Sequence, residues 1–252
     1  MNPPVGMDIG PALQDQEIEG MMKAGIHLGH AKTKDHPTMK EHIFGVRNTI
    51  SVIDLAKTTT ALARAQEFIK ETASHGGLVL LVGTRPAARK IIHEVAEKTG
   101  MPYFTERWIG GALTNFKVIG KRVEYMETLE REQASGELEK YTKRERMQKG
   151  EELVRLRRFF DGLRLLKRLP QAVFIVDITH DDTAVREARR MKIPSVALID
   201  TNANAELVDY AIPSNDDALP AVRYMVTKIG EAIEEGLKTA AERKTTEEKQ
   251  AE

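Results

Sequence analysis

A continuous apolar run, Leu78-Val79-Leu80-Leu81-Val82, constrains this chain more than any other feature. Without polar alternation it cannot be a strand with one wet face. It predicts a strand covered on both sides, as in a parallel sheet sandwiched by helices. The flanking residues agree. His75-Gly76-Gly77 stops a helix expected over Lys57 to Ser74, in which Leu62, Ala65, Phe68 and Ile69 share a face. Gly83-Thr84-Arg85-Pro86 turns into a helix expected over Ala87 to Lys98, with Pro86 suited to its first turn and Gly100 to its end. Pro102-Tyr103-Phe104 begins another short strand. The pattern resumes with strands at Ala172 to Asp177, Ser195 to Asp200 and Tyr210 to Ile212, and helices at Asp181 to Met191 and Asp216 to Lys238. Such alternation implies an α/β fold with helices on both sides of a parallel sheet.

Two regions depart from the alternation. Ahead of it, residues 1–16 read as a flexible N-terminus, and a short helix fits Glu17 to Ala24, ended by Gly25. His27 to Lys40 reads as a loop, and strands at Ile43 to Val46 and Ser51 to Asp54 flank a turn at Arg47-Asn48. In the middle, Thr114 to Leu129 carries Ile119, Val123, Met126 and Leu129 at steps of four and three. Thr142 to Lys167 carries Leu153, Leu156, Phe160 and Leu163 along one stripe. Joined near Ser135-Gly136, they predict an antiparallel, coiled-coil-like helical hairpin, expected to project because its stripes are narrow and its charge density is high. The expected organisation is an α/β domain over 17–112 and 169–239, an inserted hairpin over 113–168, and a flexible charged tail over 240–252.

Composition removes several function classes. The chain has 252 residues and no cysteine, which excludes disulfides, cysteine zinc sites and thiol nucleophiles and allows a reducing cytosol. The first 16 residues lack a basic start and an apolar run, so no signal peptide is expected. No apolar stretch approaches the length of a membrane span. Net charge is zero, from 38 basic and 38 acidic residues. Distribution matters more than the sum: Lys117 to Arg168 holds 15 Lys and Arg against 10 Asp and Glu.

Ligands of such sheets bind at the carboxyl ends of the strands. Gly83-Thr84-Arg85 could cradle a phosphate there, but it lacks both the GxGxxG and the GxxxxGK(S/T) patterns and reads better as a tight turn. His27 and His30 are three apart, a spacing seen in metal pairs. His30 with Asp200 and Asp216 could converge on a divalent metal ion. Alternatively Asp216 caps a helix and Asp200 bonds a neighbouring turn. Asp177, His180, Asp181 and Asp182 resemble acid–base material without a nucleophile, and Asp181 also suits a helix cap. The most specific string is Glu106-Arg107-Trp108-Ile109-Gly110-Gly111-Ala112-Leu113-Thr114-Asn115-Phe116-Lys117, between sheet and hairpin. Arg and Lys for phosphates, backbone amides and aromatics for stacking are the parts RNA recognition uses. Packing of the hinge suits Trp108 and Phe116 better; RNA contact suits Arg107, Asn115, Lys117, Lys121 and Arg122 better.

Several strings together resemble the bacterial small ribosomal subunit protein two family. They are Ala24 to His30, Ile43-Phe44-Gly45 with Arg47-Asn48, Ile53-Asp54-Leu55 with Lys57-Thr58, and Val82-Gly83-Thr84. Arg107 to Gly111 with Leu113 to Lys117 is the strongest. Pro170 with Ala172, Asp200-Thr201-Asn202, and Ile212-Pro213 with Asn215-Asp216-Asp217 complete the set, over about residues 17–238. The resemblance implies a flavodoxin-like α/β domain with a protruding helical hairpin. It implies a cytoplasmic, non-enzymatic protein that binds small-subunit ribosomal RNA; the residues expected to make that contact are Arg47, Asn48, Arg107, Trp108, Thr114, Asn115, Lys117, Lys121 and Arg122. It also implies neighbouring small-subunit proteins as partners, among them the large multi-repeat RNA-binding protein one. The chain departs from the family at Asp35-His36, where a Trp-Asn pair is usual, at Ile178-Thr179-His180, and at Ser214, where Gly is common. The competing functions are a nucleotide-binding α/β enzyme using the Gly83 loop, and a protein adaptor acting through the hairpin alone.

Overall fold

A computed structural model describes residues 11–251, with side chains described for 17–243. The apolar run becomes strand β4 (Val79–Val82), a fully buried inner strand of a five-stranded parallel sheet. Its companions are β5 (Tyr103–Phe104), β6 (Ala172–Ile175), β7 (Ser195–Ile199) and β8 (Tyr210–Pro213), in the spatial order β5-β4-β6-β7-β8. The chain is thus α/β. Counted along the chain the strands lie 2-1-3-4-5, consistent with flavodoxin-like sheets. Alternate side chains divide two cores. Val79, Leu81, Phe174, Val196 and Leu198 face α2 (Leu55–Ser74), α3 (Pro86–Thr99) and α7 (Leu219–Ala251). Leu80, Val82, Val173, Ile175 and Ala197 face α4 (Phe116–Ala134), α5 (Lys143–Phe160) and α6 (Asp182–Met191).

The first helix, α1 (Pro11–Ala24), begins earlier than expected; residues 1–10 lie outside the described residues. The helix α7 continues from the expected end at Lys238 to Ala251, through a stretch rich in Ala, Glu, Lys and Gln, which are strong helix formers. The loop expected over His27 to Lys40 contains β1 (Leu28–Ala31). It joins β2 (Ile43–Arg47) and β3 (Ile50–Ile53) in a separate antiparallel sheet, order β1-β3-β2. Nothing local in Leu28-Gly29-His30-Ala31 marks a strand; its pairing with β3 supplies the hydrogen bonds. The turn between β2 and β3 falls at Asn48-Thr49, with φ of 48° and 66°, one residue later than the sequence suggested.

Helices α4 and α5 fill the connection from β5 to β6. Thr142 and Glu145 form a reciprocal capping box that starts α5. Gly162 lets the foot of α5 reach the sheet edge: a Cβ there would stand 2.3 Å from the Tyr103 carbonyl oxygen. Ile119, Val123, Met126 and Leu129 of α4 share one buried cluster with Leu153, Leu156 and Phe160 of α5. Ion pairs cross between them. Glu130 accepts from Arg164 Nη1 and Nη2, each at 2.7 Å, and from Arg157 Nε at 2.6 Å. The Arg164 hydrogen bonds hold its carboxyl at about 2; burial opposes them and Arg157 adds to them. A folded value below the ordinary 4.5 means that stability is gained above pH 4.5 and lost as pH falls through about 2. Urea midpoints measured from pH 5 to pH 2 are therefore expected to fall less steeply for Glu130→Gln than for the wild type.

Candidate nucleic-acid interface

The chain leaves β5 at Phe104 and crosses to α4 through residues 105–115. Trp108 packs its ring at 4.7 Å and 47° to Phe104 and is 6% exposed. Its Nε1 donates to Glu187 Oε1 at 3.0 Å. The expectation that Trp108 contacts RNA is corrected: a buried ring with its one donor engaged cannot stack on a base. Thr114 is exposed, but its donors are engaged: its N–H and hydroxyl donate to Glu187 Oε2, each at 3.1 Å. Gly111 N–H at 2.7 Å and Leu113 N–H at 3.0 Å complete the set of donors. Glu187 lies on the buried face of α6 with Ala184, Val185 and Ala188. Burial alone would raise its carboxyl. The hydrogen bonds from Trp108 and from the amides of Thr114, Gly111 and Leu113 outweigh burial and hold it below the usual range.

The side chains expected to meet RNA are otherwise disposed outward. Arg107, Asn115, Lys117, Lys121 and Arg122 are exposed. None of these four cations forms an ion pair among the described residues. Other cations of the same region are neutralised: Arg158 and Arg89 on Glu106, Arg157 and Arg164 on Glu130, Lys167 on Glu127, Lys149 on Glu132. Arg131, Lys143, Arg144, Arg146, Arg155 and Arg168 are likewise exposed and form no ion pair among the described residues, so the unpaired positive charge runs from the base of α4 along both helices. Arg47 and Asn48 are exposed too, at the β2–β3 turn of the separate sheet.

The carboxyl ends of β4, β6, β7 and β8 form a second feature, an acidic crevice. Asp177, Asp181, Asp200 and Asp216 are each at most 4% exposed. Thr84 Oγ1 donates to Asp181 Oδ1 at 2.7 Å, so the Gly83 loop is a turn tied to the body. Asp181 makes no helix cap. Arg85 places Nε 2.6 Å from Asp177 Oδ2, in a pair whose alignment falls short of a hydrogen bond, and Nη1 against Asp217 Oδ1. Buried aspartates around one already committed arginine offer a phosphate no free cation, which weighs against the nucleotide reading of this loop.

His30 reaches the crevice from β1. Its Nδ1 lies 3.1 Å from Asp200 Oδ2 and its Nε2 3.3 Å from Asp217 Oδ2. Gly29 permits the approach, since a Cβ there would stand 2.5 Å from Thr201 Cγ2. One ligand atom each from His30, Asp200 and Asp217 lie within 4.8 Å of one another. The expected triad named Asp216 instead. In the structure Asp217 takes that place, His27 stays outside the group, and the cap of the following turn comes from Asn215 Oδ1, which accepts from Asp217 N–H and Ala218 N–H. Asp216 is turned inward. Burial, then Asp177 and Asp200, push its carboxyl up to about 8 against the pull of Arg85. Asp35 and His36 serve the fold: Asp35 accepts from Ser51 Oγ at 2.5 Å, and His36 caps the turn at Thr38.

A parallel α/β body with unpaired cations along the two helices that join β5 to β6 defines a basic-faced α/β protein. The chain belongs to the ribosomal protein S2 family, whose model matches residues 21–236. It is 44% identical over 216 residues to the small ribosomal subunit protein uS2 of Thermus thermophilus, covering 86% of this chain and 84% of that one. It is 42% identical over 237 residues to uS2 of Dehalococcoides mccartyi, covering 93% and 97%, and 44% identical over 219 residues to uS2 of Chloroflexus aurantiacus, covering 87% and 92%. No helix among the described residues is long and apolar enough to cross a membrane.

Proposed function

We propose that the chain is a structural, non-catalytic constituent of the small ribosomal subunit, working in the cytoplasm in translation. It holds small-subunit ribosomal RNA through Arg107, Asn115, Lys117, Lys121 and Arg122, with Arg47 and Asn48 as a separate contact. The single observation that supports the RNA contact is the set of four exposed, unpaired cations at the base of α4. In this reading a flavodoxin-like body over 17–112 and 169–239 carries an inserted coiled-coil hairpin over 113–168. Its other faces meet neighbouring small-subunit proteins, the large multi-repeat RNA-binding protein one among them. Cations that neutralise phosphates release counterions, so binding weakens as salt rises. The chain is expected to co-sediment with small subunits in low salt and to leave them in high salt. Salt-independent association would contradict the RNA reading, and a hairpin deletion (115–167) that associates normally would show that the RNA contacts are misplaced.

A second reading concerns the crevice. We propose that His30, Asp200 and Asp217 hold a divalent transition ion, for which an imidazole and two carboxylates are a fitting donor set. Asp216 supports this independently. It is 3% exposed, and its carboxylate receives no hydrogen bond or ion pair from another described residue. A cation beside it would offset the burial and the repulsion from Asp177 and Asp200 that hold its proton on. Zinc or manganese at a hundredfold excess over Kd is expected to raise the melting temperature by roughly 5–10 °C. His30→Ala should lose that rise. An equal rise in the variant, or none in the wild type, would remove the metal.

A further inference from the structure

The helical junction has no regular backbone of its own between β5 and α4, yet it must hold Arg107 and the first turns of α4 in place. One side chain gathers five of its hydrogen bonds. Glu187 accepts five hydrogen bonds: from Trp108 Nε1 and Gly111 N–H on Oε1, and from Leu113 N–H, Thr114 N–H and Thr114 Oγ1 on Oε2. Three backbone amides within four residues turned toward one point make a concave anion site, the arrangement backbone loops use to hold phosphates and carboxylates. Gly111, at φ 89°, adopts the left-handed conformation that turns the loop back on itself. Here the anion belongs to the chain itself and arrives from α6.

We propose that Glu187 is the positioning residue of the RNA-facing junction, an internal anion that fills a site built by residues 108–114 and thereby fixes the outward cations of α4. The proposal rests on the RNA reading above. Glu187 is itself 8% exposed and faces inward, so it contributes no contact to RNA. Its effect on binding runs entirely through the loop. Removing it leaves the same cations on the surface and a site of anion-binding shape beneath them. Such a site can be refilled from solution by a small carboxylate.

The test uses the full chain. Trp108 is its single tryptophan, so intrinsic fluorescence reports the junction alone. Glu187→Ala is expected to shift Trp108 emission to the red and to weaken binding to small-subunit ribosomal RNA about tenfold, as when one or two phosphate contacts are misplaced. Acetate at the same ionic strength as chloride should move both readouts of the variant back toward wild type, with affinities expressed as the ratio to wild type in the same salt. Glu187→Gln keeps the shape and one acceptor and serves if the alanine variant does not fold; it should fall between the two. A folded variant with shifted Trp108 emission and wild-type RNA affinity would overturn the positioning role. So would affinity lost equally in chloride and acetate while acetate restores the emission. A wild type that does not bind the RNA would instead sink the parent reading, leaving the fluorescence rescue to test the anion site alone.

Discussion

Replacing Arg107, Lys117, Lys121 and Arg122 together by glutamine is expected to weaken binding to small-subunit ribosomal RNA on the order of a thousandfold near 0.1 M salt. The size follows from counterion release. Each neutralised phosphate contributes a slope of roughly −0.7 to −0.9 in log K against log salt, so four lost contacts flatten the line by about three. The four cations have no acidic partner among the described residues, so no internal ion pair is broken by the change, and stability is expected to stay within about 0.5 kcal/mol per site. Arg64 and Lys98 provide the control. They too are exposed and unpaired, but they sit on α2 and α3, across the sheet from the junction. Their replacement by glutamine should leave affinity nearly unchanged. Filter-binding or fluorescence titrations across a salt series read both variants; equal slopes for the two would contradict the placement of the contacts.

The second large effect lies in the crevice. Arg85→Ala is expected to destabilise the protein by about 2–3 kcal/mol, seen as a fall in melting temperature of roughly 5–10 °C. Removing one partner of a buried ion pair leaves the other as an uncompensated charge, which in a fully buried pair costs about 3–5 kcal/mol. The lower figure is used because the Arg85 side chain is 33% exposed and water screens part of its field. Asp177 loses its cation, and Asp217 loses its strongest partner. Arg85→Lys should recover only part of the loss, because an ammonium cannot bridge two carboxylates as a planar guanidinium does. A melting temperature unchanged within a degree in Arg85→Ala would mean that another cation already balances the crevice.

The two features differ in how far the sequence revealed them. Strands β4 and β6 were legible because burial on both faces writes a continuous apolar run. Pro86 and Gly100 marked the ends of α3 because each fits a backbone geometry that few residues accept. The outward cations at the base of α4 were legible as a basic string beside a Gly-Gly bend. Glu187 was not. It lies among Arg186, Arg189 and Arg190, and a charged residue in such company reads as solvent-exposed. The available signal was its spacing three residues after Ala184, on the face that also carries Val185 and Ala188. The exchange of Asp217 for Asp216 was illegible for a different reason. Which member of an acidic pair turns inward depends on Asn215 and on Arg85, about 130 residues earlier in the chain. Packing was the better reading of Trp108 from the sequence, but its partner, 79 residues away, was not legible there. Long-range pairing also explains β1, whose residues become a strand only against β3.

The most direct measurement of the central claim uses the absence of native cysteine. A single cysteine at Lys121 or, separately, at Glu67 on α2 can carry an iron chelate, and the labelled protein can be assembled into small subunits. Hydroxyl radicals cut nucleic acid only near the tether. Strong cleavage of the ribosomal RNA from position 121, with little from position 67, is the predicted result. Cleavage from position 67 with none from position 121 would place the RNA on the opposite face and contradict the account.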